Sequence, residues 1–137
     1  MGVELLLYSN ILYYITRIVY CLHSGMVDVG ATSNTKRYGY EIFKNLRSRG
    51  YEVYPVHPKL KELEGIRCYP SLADIPVTVD VVDFVVPPAV TEAILRECKR
   101  LGLERIWLQP GSESEVAIAF CHENGMKVVH GVCVMSN

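Results

Sequence analysis

The residues best placed to do chemistry are a run of small and polar side chains that ends in two cations and a tyrosine: Gly30, Ala31, Thr32, Ser33, Asn34, Thr35, Lys36, Arg37 and Tyr38. Gly30 allows a sharp backbone turn and Ala31 keeps bulk off it, so main-chain N–H groups can come close to an anion. Ser33, Asn34 and Thr35 are each competent helix N-caps. A helix starting here would aim unpaired N–H groups and its positive dipole end at the same point, a seat for phosphate. A second turn, Val56-His57-Pro58-Lys59, adds another cation.

The dinucleotide fingerprint G-x-G-x-x-G is not met, because Thr32 and Thr35 stand where its second and third glycines would be. Nor does the second strand end in the carboxylate that would hold a ribose 2′-hydroxyl. A cation at that end suits a ribose carrying a phosphate, as in coenzyme A or NADP. Other reactive candidates are sparse. His57 reads as a ligand contact or a solvated imidazole rather than a general base. His130 and Cys133 sit near the tail, and Cys133 reads as a packed thiol. Cys121 and His122 are helix neighbours, which point apart. No pair of carboxylates and no triad-like set emerges.

The totals narrow the classes. At 137 residues with net charge −1, the chain suits one domain with one core and has no long-range attraction for nucleic acid. The basic residues Lys36, Arg37, Lys44, Arg47, Arg49, Lys59 and Lys61 divide into a solvated helix face and a few cations at turns beside the site. Five cysteines, odd in number and without a C-x-x-C pair, argue against a disulfide framework or zinc knuckle and fit a reducing cytoplasm. Residues 3–22 form an apolar run interrupted by Glu4, Asn10 and Arg17. A membrane span needs about 20 mainly apolar residues, and an internal Arg costs about 2.5–3.5 kcal/mol. The readings open for this run are a helix lying on the domain or a partner subunit, an extension upstream of a start at Met26, and a membrane anchor, which is the least expected. The domain is therefore placed at 26–137, with 1–25 as a separate apolar segment.

The elements that must position the turns follow in order. Residues 26–30 read as a strand in which Asp28 is awkward; it is expected to accept a hydrogen bond from a loop or to belong to the site. A helix follows with Gly39, Ile42, Phe43 and Leu46 inward, Gly39 allowing close approach to the strand and Gly50 stopping it. Strand 51–56 comes next, then a weak helical turn at 59–64, a short strand at 67–69, and one helical turn opened by Ser71 and Asp74 at capping-box spacing. The β-branched run 80–86 reads as a strand covered on both faces. Pro87 and Pro88 start a helix with Val90, Ala93, Ile94, Cys98 and Leu101 in a stripe. Strand 105–108 follows, then a helix capped by Ser112 and Glu115 with Val116, Ala119 and Phe120 inward, and a last strand at 126–130. Strands and helices alternate throughout, which gives a single-domain, doubly wound α/β sheet, mainly parallel, with helices on both faces. Its crevice lies beyond the strand C-termini, where residues 30–37, 56–59, 85–88 and 109–111 converge.

The segments V-G-A-T-S-N-T-K-R-Y-G-Y, Y-E-V-Y-P-V-H-P-K, G-I-R-C-Y-P-S-L-A-D-I-P, V-D-F-V-V-P-P and W-L-Q-P-G-S-E-S-E, in this order and spacing, resemble the small stand-alone CoA-binding domain proteins, akin to the CoA-binding domain of succinyl-CoA synthetase α chains. The resemblance covers residue 26 onward and implies a Rossmann-like fold that binds coenzyme A, with no established reaction. It would place Gly30, Ala31, Thr32, Ser33 and Asn34 around the pyrophosphate, with Lys36, Arg37 and Tyr38 nearby. Val56, His57, Pro58 and Lys59 would meet the adenosine end. Val85, Pro87, Pro88, Gln109, Pro110 and Gly111 would line the rest. Thr35 stands where the family usually has proline, His57 where it usually has asparagine, and Thr32 often where it has serine. In synthetase α chains a Cys-containing loop matching Cys133 adjoins the active centre.

The expectation is a cytoplasmic, non-catalytic CoA-binding carrier, sensor or regulatory module. Its ligand would be CoA or an acyl-CoA, and its partners a second copy or an unidentified protein, with neither nucleic acid nor membrane expected. The alternatives are an NADP-linked or CoA-transferring enzyme using Cys133 or His57, and an interaction module with a vestigial site and Tyr8, Tyr13, Tyr14 and Tyr20 at a partner surface.

Overall fold

The computed structural model describes residues 25–34, 36–133 and 135. The readings of the apolar N-terminal run, of Thr35 as a cap and of Cys21 lie outside the described residues. Five parallel strands make the sheet: β1 (Gly25–Val29), β2 (Glu52–Val56), β5 (Val79–Phe84), β6 (Arg105–Leu108) and β7 (Lys127–Val129), in the order β2-β1-β5-β6-β7. Counted in chain order these strands run 2-1-3-4-5, the doubly wound arrangement whose order reverses between the first and third. β1 is buried along its whole length, as a central strand of β-branched and apolar residues should be. β2 is an edge. There His57 N–H donates to Tyr69 O and Tyr69 N–H to Pro55 O, both at 2.9 Å. Main-chain groups of odd-numbered residues therefore face away from β1, so Pro55 lacks no N–H that the sheet needs.

Three helices cover the two faces. α1 (Tyr38–Ser48) buries Gly39, Ile42, Phe43 and Leu46, the predicted stripe. α2 (Pro88–Leu101) has a proline in its first turn and stops at left-handed Gly102. Its stripe is turned by about one position from the expected one. Thr91, Leu95 and Cys98 are buried, while Val90 and Leu101 stay exposed. α3 (Glu115–Glu123) is capped not by Ser112 but by Ser114, whose Oγ accepts Ala117 N–H at 3.0 Å. That later start carries the inward face to Ala117 and Cys121 and leaves Val116 62% exposed.

The expected helical turn at 59–64 is instead a hairpin of β3 (Glu62–Leu63) and β4 (Ile66–Arg67). Its two-residue turn needs positive φ twice, which Glu64 and Gly65 provide. At Ser71 the chain makes one 3₁₀ turn, Leu72–Asp74, with the Ser71 hydroxyl donating to Asp74 Oδ2 at 2.8 Å rather than capping the backbone.

Two apolar layers result. Val27, Val82, Phe84, Ile106 and Leu108 meet Leu95, Cys98, Ala117 and Cys121 of α2 and α3. On the other face Met26, Val53, Val81, Trp107 and Val129 meet Ile42, Phe43 and Leu46 of α1. Among the described residues no helix is long and apolar enough to cross a membrane.

Candidate functional site

The C-terminal ends of β1, β2 and β5 open onto a crevice of about 1030 Å³ at the point where strand order reverses. Gly30 makes its floor with φ +102°; a Cβ there would stand 2.1 Å from Val85 O. Gly39 lies above it, where a Cβ would meet Gly30 O at 2.4 Å. These two glycines let α1 sit almost against the end of β1. Between them the turn is held by its own side chains: Asn34 N–H donates to Thr32 Oγ1 at 3.2 Å, and Lys36 N–H to Asn34 Oδ1 at 3.1 Å. Thr32 and Asn34 are thus committed to the turn, not to capping α1. Its N-cap is Arg37, extended and without a side-chain cap. Among the described residues no side chain caps the first-turn N–H groups of Tyr38 and Gly39, which follow directly on Arg37. Oriented donors on a helix dipole make an anion seat.

The β2 wall is made by Val56, His57 and Pro58. His57 Nδ1 accepts Lys59 N–H at 3.0 Å and Leu60 N–H at 2.9 Å, so Nε2 carries the proton. Burial, then the Lys59 charge, holds the imidazole below its usual pKa. Asparagine at this position would close the same turn through Oδ1, so the departure from the family's usual residue keeps the turn. The third wall is built by Val85, Val86, Pro87 and Pro88, locked to the β6 end by Val86 N–H donating to Ser112 Oγ at 3.1 Å.

Of the predicted residues, Gly30, Ala31, Thr32, Asn34, Arg37, Tyr38, Val56, His57, Pro58, Val85, Pro87, Pro88, Pro110 and Gly111 line the crevice. Ser33, Lys36 and Lys59 are exposed in the same turns without lining it. Gln109 does not line it: strand alternation turns the side chain inward, and its Nε2 donates to Asp83 Oδ1 at 2.6 Å. Sequence reasoning missed Pro70, Ser71 and Leu72, brought in by the Val56–Tyr69 bridge, and Val90, Ile94 and Glu97 of α2. No sequence signal marked them, since Val90 and Ile94 fit the inward stripe of their helix.

A second surprise lies one residue behind the crevice. Asp28 and Asp83 are register partners on β1 and β5, both buried. Among the described residues neither oxygen of Asp28 has a hydrogen-bond partner, none of them is the expected loop donor, and two carboxylates stand side by side. Burial, then the Asp83 charge, pushes the Asp28 carboxyl well above its usual range. Burial pushes Asp83 up to about 7 against the pull of Gln109. The two side chains reside on the α1 face, where the charge of Asp83 acts on the hydroxyl of Tyr38, which contacts Cys133 Sγ. Cys98 and Cys121 are pushed up to about 12 and about 11 by burial, as packed thiols are.

Comparison with known proteins adds the family. Residues 26–137 match the family model described as CoA binding domain. The ADP-forming acetate–CoA ligase II α subunit of Pyrococcus furiosus is 31% identical over 121 residues, covering 80% of this chain and 26% of that protein. A solved conserved hypothetical protein from Pyrococcus furiosus superposes with TM-score 0.79 at 41% identity, covering 82% of this chain and 97% of that one. The dinucleotide-forming acetyl-coenzyme A synthetase 1 of Ca. Korarchaeum cryptofilum superposes with TM-score 0.66 at 30% identity, over 78% of this chain and 25% of that one. The chain spans about a quarter of the length of each of these two named enzymes.

Proposed function

The chain belongs to the CoA binding domain family, and from that premise we propose that its crevice binds coenzyme A as a non-catalytic carrier, sensor or regulatory module. The observation that carries this reading is the α1 N-terminus at Arg37, without a side-chain cap among the described residues and set at the strand-order switch by Gly30 and Gly39. In this reading Gly30, Ala31, Thr32, Ser33 and Asn34 wrap the pyrophosphate, helped by Lys36, Arg37 and Tyr38. Val56, His57, Pro58 and Lys59 meet the adenosine end, where the cation of Lys59 suits a phosphorylated ribose. Val85, Pro87, Pro88, Pro110 and Gly111 flank the pantetheine arm. NADP draws no support from the family. No catalytic step is assigned to Cys133 or His57.

The test is calorimetric titration with CoA, 3′-dephospho-CoA and NADP. CoA should bind best, and at 100 times its Kd it should add about 2.7 kcal/mol of stability in a melting curve. Lys59→Gln should reduce the gap between CoA and its dephospho form, whereas Arg37→Gln should weaken the binding of both. Tighter binding of NADP, or no binding by any of the three, would refute the reading.

A further inference from the structure

The turn after β2 is closed by a side chain rather than by the backbone alone. His57 Nδ1 accepts from two successive amides, Lys59 N–H at 3.0 Å and Leu60 N–H at 2.9 Å. A neutral imidazole can do this, because one ring nitrogen keeps a lone pair; an imidazolium has two donors and no acceptor. A proton on Nδ1 would therefore meet both amide hydrogens and break both bonds. His57 and its neighbour Pro58 line the crevice, so the same turn shapes its β2 wall.

We propose that His57 ties ligand binding to pH: the β2 wall fits CoA only while Nδ1 is unprotonated, and acid opens the turn and releases the ligand. This rests on the CoA reading above and adds its regulation. Ligand release then takes up one proton at Nδ1, and by linkage CoA binding opposes that uptake. Lys59, in the same turn, is the charge that acts on the ring, in the same direction as burial. Arg37 at the N-cap of α1, Tyr38 in its first turn and Glu97 of α2 are the titratable groups that share the crevice, and Tyr69 is joined to the β2 end through its main chain.

The experiment measures the CoA Kd of wild type and His57→Asn at about pH 8 and about pH 5, each protein serving as its own reference. Asn can accept both amides through Oδ1 but does not titrate. The ligand's phosphate, with a pKa of about 6, titrates alike against both proteins and cancels in the comparison. The acid-to-alkaline Kd ratio of wild type should exceed that of the variant by about tenfold one pH unit below the ring's pKa. Imidazole ¹⁵N spectra of the unliganded wild type should show the Nε2–H tautomer, a readout that needs no variant. Equal ratios in the two proteins, or an Nδ1–H tautomer, would overturn the proposal while leaving CoA binding intact. Absence of CoA binding by wild type at both pH values would overturn it together with the function it rests on.

Discussion

The two faces of one sheet are built on different terms. Toward α2 and α3, Val27, Val82, Phe84, Ile106 and Leu108 pack against Leu95, Cys98, Ala117 and Cys121, and the buried hydroxyl of Thr91 on α2 has no hydrogen-bond partner among the described residues. Toward α1, the same strands carry Asp28, Asp83 and Gln109 among Met26, Val81 and Trp107. Alternation along a strand makes the contrast sharp, since one step in sequence moves a side chain from one layer to the other. The first face is a core that earns stability; the second accepts buried carboxylates directly behind the crevice. Local violations of the burial rule tend to lie beside functional sites, and this one adjoins the Gly30 turn.

The largest effect separating the faces should come from Phe84→Ala, which opens a cavity in the apolar layer. It should cost about 3–5 kcal/mol in chemical denaturation. A cost below about 1 kcal/mol would mean that this face is not the main core. Gly30→Ala follows. Its Cβ collides with Val85 O, so a few kcal/mol of stability, on the scale of about 1–3 for backbone strain alone, should be lost together with CoA binding. Retained affinity would separate the turn from the site.

Asp28→Val should act with the opposite sign. Removing an unpartnered buried carboxylate relieves a desolvation cost of about 1–3 kcal/mol, so the variant should melt higher than wild type at about pH 8. A lower melting point would show that Asp28 has a partner worth keeping. The pH dependence follows in sign. Carboxyls raised in the folded state favour folding fully below their unfolded value of 3.8, and that contribution is lost as pH rises through about 7 for Asp83. Wild-type stability should therefore fall across this window, and the fall should be shallower in Asp28→Val. The smallest change, Ser114→Ala, removes the α3 cap and should cost about 1 kcal/mol; Ser112→Ala should cost more than that only if its link to Val86 matters more than the cap.

Much of the apolar frame was legible because its signals are local. Gly39, Ile42, Phe43 and Leu46 recur at helical spacing, and the β-branched run 80–86 needs no partner to be read as a buried strand, although the strand itself ends at Phe84. What could not be read depends on register and on competing local choices. Asp28 and Asp83 are 55 positions apart in number, and only the pairing of β1 with β5 sets them side by side. Ser112 and Ser114 are equally good caps in isolation; Val86 N–H takes the first and leaves the second to the helix. The shift by two residues then moves Val116 into solvent. Gln109 reads as part of a loop until β6 is seen to aim it at Asp83. Pro70, Ser71 and Leu72 reach the crevice only through the Tyr69 bridge, a contact that no periodicity announces.

The measurement that tests the central claim most directly is an amide chemical-shift titration of the ¹⁵N-labelled protein with CoA. Saturable shifts should concentrate on Gly30, Ala31, Tyr38 and Gly39 at the phosphate seat and on Val56, His57 and Lys59 at the β2 end, with Lys127 and Val128 of β7 unmoved. Shifts confined to β7 and α3, or none at a CoA concentration well above the Kd found by calorimetry, would contradict the placement of CoA at the Gly30 turn.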